Sequence, residues 1–388
     1  MLMAGLGLFA TFTPKNFQSY AGLGDLYPRW YGARAALQGR DPYSPEVSAE
    51  IQKGYYGHAL ASNEAEDQQR FAYPAYVVFL IWPLTRLPFT AVRTLASISL
   101  LGALVCSVLL WIKILGCNLT WKGNLSAVLL AAGTAATIQG IRLQQLAFLV
   151  FLLFSAGLYF LCLDRLTAAG VAFALATIKP QMMLLPLLWM FIWTWGDWRK
   201  RRAVAVSFAL SLGALSFLAE LLVRGWIPKF LRGLIAYTGY RPTRSLLSIL
   251  IGTPGTVLGA GIIILFLVVA FRHRVHRATA SSFHTVTALA LCVAQTCVPG
   301  LVAPFNQILL LPAVLILIRI SSVWVKSVIL VSVFLPTMAS VAIKLAPNPD
   351  SSYALLIMQM AVVTMFTLSL CVLALMMSRV QWHGPRPS

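Results

Sequence analysis

The stretch RKRRAVAVSFALSLGALSFLAELL, residues 199–222, decides the fold: four consecutive cations precede a run, 203–222, whose only ionisable group is Glu220 near its far end. Wound as an α-helix at about 1.5 Å per residue, that run is about 30 Å long, the thickness of a bilayer's hydrocarbon core. Lipid offers no partner for backbone N–H and C=O groups, so the run must be helical to cross. A comparable run occupies 353–377, and the composition agrees. Hydrophobic residues make up 59% of the chain and charged residues 11%, against about 45–50% and about 25% in soluble proteins. The chain reads as an integral membrane protein.

The formal net charge is +19, but the cations are not gathered into one basic soluble module. They fall in short clusters between apolar runs: 199–202, then Arg272, Arg274 and Arg277, then Arg319 and Lys326. Cytoplasmic loops carry this pattern under the positive-inside rule, which argues against a nucleic-acid partner. Cys106, Cys117, Cys162, Cys292, Cys297 and Cys371 show no Cys-x-x-Cys spacing and read as small apolar packing residues. His58, His273, His276, His284 and His383 lack metal-ligand spacing, and neither G-x-S-x-G nor a P-loop occurs. No metal and no cofactor is expected.

Threading the chain by its apolar runs predicts an all-α polytopic bundle, read as a single membrane domain over 1–388, of about twelve transmembrane helices. Residues 1–13 are read as part of an incomplete first helix, or alternatively as a short surface anchor. A short membrane-dipping helix is expected at 73–85. Crossings are expected at about 89–112, 124–140, 143–163, 167–178, 181–195, 203–222, 255–271, 281–298, 304–320, 324–344 and 353–377. This arrangement leaves 14–88 as a first outer loop and 223–253 as a second outer segment, together with the APNPDSS loop, 346–352. The second segment is basic and without acids, which violates the simple charge bias and suggests an interfacial amphipathic element that meets an anion.

Seven of the eleven acidic residues, Asp25, Asp41, Glu46, Glu50, Glu64, Glu66 and Asp67, fall in the first outer loop. A carboxylate in hydrocarbon costs about 2.5–3.5 kcal/mol even on a lenient scale, so this loop belongs to water or an aqueous cavity. In DLYPRWYGARAALQGRDPYSPE, residues 25–46, apolar and polar positions alternate at roughly helical spacing, as in an amphipathic helix lying along the membrane surface. Asp25 then stands at its N-terminus, as a helix cap or as a catalytic general base. Asp41, ahead of Pro42, opens a turn and is the second-choice base. The EAED run at 64–67 reads as a solvated loop.

Cations expected to face outward are Arg29, Arg34, Arg142, Lys179, Arg241 and Arg244. Guanidinium groups bind phosphate bidentately, although each such residue alone is also a candidate for snorkelling at the interface. Lys179 is the strongest candidate, because Pro180 breaks the helical run and leaves the lysine at a break between two short crossings.

DLYPRWYGARAALQGRDPY (25–43), FAYPAYVVFLIWPLTRLPF (71–89), QGIRLQQL (139–146), ALATIKPQ and PFNQILLLPAVL, in this order, resemble the family 87 glycosyltransferases, GT-C-type membrane enzymes. The resemblance implies transfer of a hexose, mannose as the first guess, from a polyprenyl-phosphate-linked donor to a hydroxyl on a lipid or glycan acceptor. It further implies inversion, a multi-pass protein of the cytoplasmic membrane and a site on the outer face. Asp25 matches the acidic residue regarded as catalytic base there. Lys179, Arg142, Arg241, Arg244, Arg29, Arg34, Gln144, Asn306 and Gln307 are the expected substrate-binding set. Two departures stand out: Tyr73-Pro74-Ala75 where Tyr-Pro-Pro is frequent, and Asn306 and Gln307 where His or Asp is frequent. The competing readings are a secondary transporter around the Lys179-Pro180 break and a lipid-linked polymer ligase.

Overall fold

The computed structural model describes residues 23–61, 64, 66–240 and 243–320, and residues 326, 327, 329–331 and 333 of the stretch that follows. The expected first helix, most of the 324–344 crossing, the APNPDSS loop, the 353–377 crossing and Arg241 lie outside the described residues. Among the described residues every regular element is helical.

Among the described residues three helices are long and apolar enough to cross a bilayer: α4 (Phe89–Ile114), α10 (Trp198–Leu222) and α13 (Thr253–His273). A fourth span is available if α5 (Trp121–Ala132) and α6 (Ala135–Arg142), which meet at 66°, count as one. The bend has a local cause. Thr134 turns its hydroxyl onto the carbonyl of Ala131 at 2.9 Å and accepts the N–H of Thr137 at 3.3 Å, closing one helix and capping the next. Shorter helices fill the space between: α7 (Ala147–Cys162), α8 (Leu166–Ala176), α9 (Pro180–Gly196) and α14 (Ser281–Cys297). A 3-10 turn at Pro304–Leu310 leads into α15 (Leu311–Ile320).

The helices pack in two rows. One runs α10, α8, α7, α4, α5; the other runs α13, α14, α9; and α9 also touches α10. Lipid is as apolar as leucine, so packing rather than the hydrophobic effect holds such rows together. Gly170 lets α8 and α10 approach closely, since a Cβ there would lie 2.3 Å from the Val204 carbonyl. Trp111 of α4 is fully buried and donates to Ser155 of α7 at 2.9 Å. The outer faces of α10 and α13 remain apolar and uncovered, Leu210 and Val257 being 69% and 70% exposed, as lipid-facing surfaces should be.

Both ends of α9 are tied down. At its C-terminal end Arg201 lies 4.0 Å over the Trp193 ring and donates to the carbonyls of Trp193, Arg274, Val275 and His276 at 2.7–3.2 Å. Helix-end carbonyls that lack intrahelical partners are satisfied there. Its N-terminal end, about 25 Å away at 1.5 Å per residue, begins at Lys179-Pro180.

Above that second end sits a module made from the first loop. Helix α1 (Leu26–Leu37) stops at Gly39, whose φ of 75° is left-handed. Helix α2 (Pro45–Tyr56) starts at Ser44, whose side chain accepts the Val47 N–H at 3.2 Å. Helix α3 (Val77–Ile81) runs into a 3-10 turn at Trp82–Leu84, both within the 73–85 segment. Helix α1 is not the surface-lying helix its alternating pattern suggests. Nine of its twelve residues are buried, because its Ala and Gly positions let α2, α3 and α4 close around it.

A last amphipathic helix, α11 (Trp226–Tyr240), follows α10, and the short α12 (Leu246–Ile251) leads into α13. Trp226 stacks edge-on against Tyr76 of the first-loop module, with ring centroids 5.6 Å apart.

Candidate active site

The site is built where the first-loop module meets the two helix breaks. Gly24 adopts φ 65°, and a Cβ on it would lie 2.1 Å from Gln144 Oε1 and 3.2 Å from the Leu143 carbonyl, so a larger residue here is strained and must push Gln144 aside. The turn delivers Asp25, whose N–H donates to the Leu143 carbonyl at 2.9 Å. Asp25 occupies the N-cap position of α1, yet its side chain makes no capping hydrogen bond. The carboxylate Oδ2 instead accepts a hydrogen bond from Nε2 of Gln145.

Gln145 follows a left-handed residue, Gln144 at φ 49°. That reversal ends α6 and separates the two glutamines. Gln144 folds its amide back to the carbonyls of Ile141 and Arg142 at 3.1 and 2.7 Å. Gln145 reaches forward, and its Oε1 accepts from Lys179 Nζ at 3.2 Å. One carboxamide therefore spans the gap between the carboxylate and the ammonium.

Lys179 is 5% exposed and precedes Pro180, the first residue of α9. Its Nζ also donates to Asn306 Oδ1 at 3.0 Å and lies 4.7 Å from the centroid of the Phe305 ring. Asn306 in turn donates to the Leu301 carbonyl at 3.4 Å. Tyr76 fastens the same break from the other side, its hydroxyl 3.0 Å from the Thr177 carbonyl. Arg29, one turn along α1, donates to the Asp25 carbonyl and lies 4.4 Å over the Tyr73 ring. Its Nε has no hydrogen-bond partner among the described residues.

Burial dominates the titration of both central groups. It pushes the Asp25 carboxyl above the usual carboxylate range, and Asp67 pushes the same way, while Arg29, Lys179 and the Gln145 hydrogen bond pull down. The residue itself is only half-buried, so an edge of Asp25 stays accessible. Burial lowers Lys179 to about 7, aided by the charge of Arg29 and opposed by Asp25. With Asp25 ionised and both cations protonated, the cluster carries one surplus positive charge inside an apolar bundle. Such a site favours an anionic ligand, and its carboxylate is the group able to take a proton.

The other expected residues distribute unevenly. Asn306 joins the cluster directly. Gln144 buttresses Gly24, and its Oε1 has no partner among the described residues. Gln307 is half-buried and faces away, lining a cavity of about 330 Å³ walled by Ile112, Leu130, Ala135, Val314 and Arg319. Asp41 pairs with Lys229 at 2.8 Å and accepts the Tyr43 N–H at 3.0 Å, which accounts for it as a turn residue. Arg34 is exposed, 5.6 Å from the Trp30 ring, and Arg142 and Arg244 are exposed as well. Among the described residues, neither Arg34 nor Arg244 contacts the Asp25 cluster. Among the described residues no group of three or more His, Cys, Asp or Glu is placed to hold a metal ion.

Sequence reading missed Gln145, although the QGIRLQQL segment contained it; only the left-handed turn distinguishes it from Gln144. It also missed Tyr73 and Phe305, the rings under the two cations, and it set Asp67 aside as a solvated loop residue.

No curated protein matches the chain, and no solved structure does. The sequence model of glycosyltransferase family 87 matches residues 71–299, a stretch that includes Gln145 and Lys179 but neither Asp25 nor Asn306. That match covers more than half of the 388 residues, and the chain belongs to glycosyltransferase family 87.

Proposed function

We propose that this glycosyltransferase moves a hexose, mannose first among them, from a polyprenyl-phosphate-linked donor to a hydroxyl of a lipid or glycan acceptor. The transfer takes place on the outer face of the cytoplasmic membrane, within a single GT-C-type domain of about twelve helices. The basic Arg201–Arg274 end of α9 then faces the cytoplasm, in keeping with the positive-inside rule.

The reading rests chiefly on the Gln145 carboxamide, hydrogen-bonded to Asp25 on one side and to Lys179 on the other. Asp25 takes the proton of the acceptor hydroxyl as that oxygen forms its bond to the anomeric carbon. The bond from the same carbon to the phosphate oxygen breaks, and the polyprenyl phosphate leaves with the electron pair. Lys179, with Arg29 close by, stabilises the charge that gathers on that oxygen. Attack and departure on opposite faces invert the anomeric centre. Gln145 keeps the base and the cation at a fixed separation, so proton removal and phosphate departure occur in one arrangement of the protein.

The test uses the full-length enzyme in lipid vesicles with radiolabelled polyprenyl-phosphate mannose and a hydroxylated lipid acceptor. Asp25→Asn keeps the shape and lowers transfer about 10²–10⁴-fold, and magnetic resonance of the wild-type product shows the inverted anomer. Full transfer by Asp25→Asn, or a retained anomer, overturns the mechanism.

A further inference from the structure

Helix α11 carries an apolar face that the described residues leave uncovered. Ile227, Leu231, Leu234 and Ile235 recur at helical spacing and are 49%, 49%, 43% and 71% exposed. The opposite face holds Trp226 against Tyr76 and Lys229 against Asp41, which fixes the helix to the first-loop module at 5.6 and 2.8 Å. An exposed stripe of this kind asks for an apolar partner.

Two further observations say which. The stripe continues from the lipid-facing end of α10, where Phe217, Leu218 and Leu221 are also exposed, and only Val223 to Gly225 separate the two helices. Arg224 and Arg232 are exposed beside the stripe, and the described part of 223–253 contains no acid; Glu220, just before it, is engaged by the Gly225 N–H at 2.6 Å. A helix with one apolar face and a basic flank, joined to a membrane span, lies in the interface with its apolar side in the acyl region. Its arginines then sit at headgroup level, where an anionic lipid complements them.

We propose that α11 is a membrane-surface helix that recruits anionic phospholipid headgroups through Arg224 and Arg232. Its Trp226–Tyr76 and Lys229–Asp41 contacts moor the first-loop module to that surface. Tyr76 bonds the backbone two residues before Lys179, so the bilayer supports one wall of the candidate active site. The inference depends on the membrane character of the chain and not on the identity of the sugar donor.

An environment-sensitive fluorescent amino acid placed at Ile235 of the full-length protein, in nanodiscs, tests it without any transfer assay. Bilayer lipids with brominated acyl chains quench the fluorophore, and brominated phosphatidylglycerol quenches it at least about twofold more than brominated phosphatidylcholine at equal content. In Arg224→Gln/Arg232→Gln the preference falls to one while quenching by both lipids persists. Three results overturn the proposal: no quenching by either lipid with quenching by aqueous iodide, shielding from both as under a protein partner, or a preference unchanged in the double variant. Transfer activity can fail for the proposed donor with the quenching pattern intact, which separates this inference from the assigned reaction.

Discussion

Replacing Lys179 by Met separates catalysis from stability more cleanly than any other change at the site. Burial of the ammonium lowers its pKa from 10.5 to about 7. At 1.36 kcal/mol per pH unit, holding the side chain in the fold at neutral pH costs on the order of 4 kcal/mol. Methionine removes that cost with nearly the same length and flexibility. It also strips the donor from Gln145 Oε1 and Asn306 Oδ1, and each buried acceptor left alone costs about 1–3 kcal/mol. The opposing effects nearly cancel, so the Met variant is as stable as wild type to within about 2 kcal/mol. Transfer falls by about 10²–10³, the loss typical of one group that stabilises developing negative charge. Fluorescence-detected size exclusion after heating reads the first quantity, and initial rates in vesicles read the second. A variant that unfolds many degrees early, with activity lost in proportion to folded protein, would show Lys179 to be a structural residue and refute the reasoning.

The same titrations set a pH profile for transfer. Asp25 must be ionised, and its raised pKa moves the acid limb above the usual carboxylate range; Lys179 must be protonated, so activity declines as pH rises through about 7. Lys179→Arg keeps its charge and carries the alkaline limb upward, a shift that rate measurements across pH detect. Gln145→Leu lowers kcat about 10–100-fold with little change in KM, whereas Gln145→Glu sets a second carboxylate against Asp25 and raises the acid limb further. Gly24→Ala puts a methyl 2.1 Å from Gln144 Oε1 in a left-handed backbone. The backbone alone costs about 1–2 kcal/mol, and the displaced Asp25 lowers transfer more than tenfold while thermal stability drops by a few degrees.

The membrane elements were the most legible part of this chain. The runs at 89–112, 203–222 and 255–271 appear as α4, α10 and α13 because length and apolarity alone define a crossing. The bend between α5 and α6 escaped notice, since it depends on a threonine hydroxyl competing with the backbone. Helix α1 misled because alternation of aromatic and basic residues looks the same for a surface helix and for one packed on three sides. Lys179 was legible as a charge in a costly place, and Asp25 as the first acid of the polar stretch. Their shared partner was not, for spacing cannot show which of two adjacent glutamines a left-handed residue will turn inward. Arg34 and Arg244 show the converse limit: sign and approximate position are visible in sequence, direction is not.

The central cluster draws its members from four separated segments, Asp25, Gln145, Lys179 and Asn306. A ribosome delivers these segments to the membrane one after another, and until the last is seated Lys179 lacks its Asn306 contact. Chains cut short before residue 304 therefore have no complete centre. On the proposed function, nascent protein then stays inert until the 3-10 turn at Pro304–Leu310 is in place.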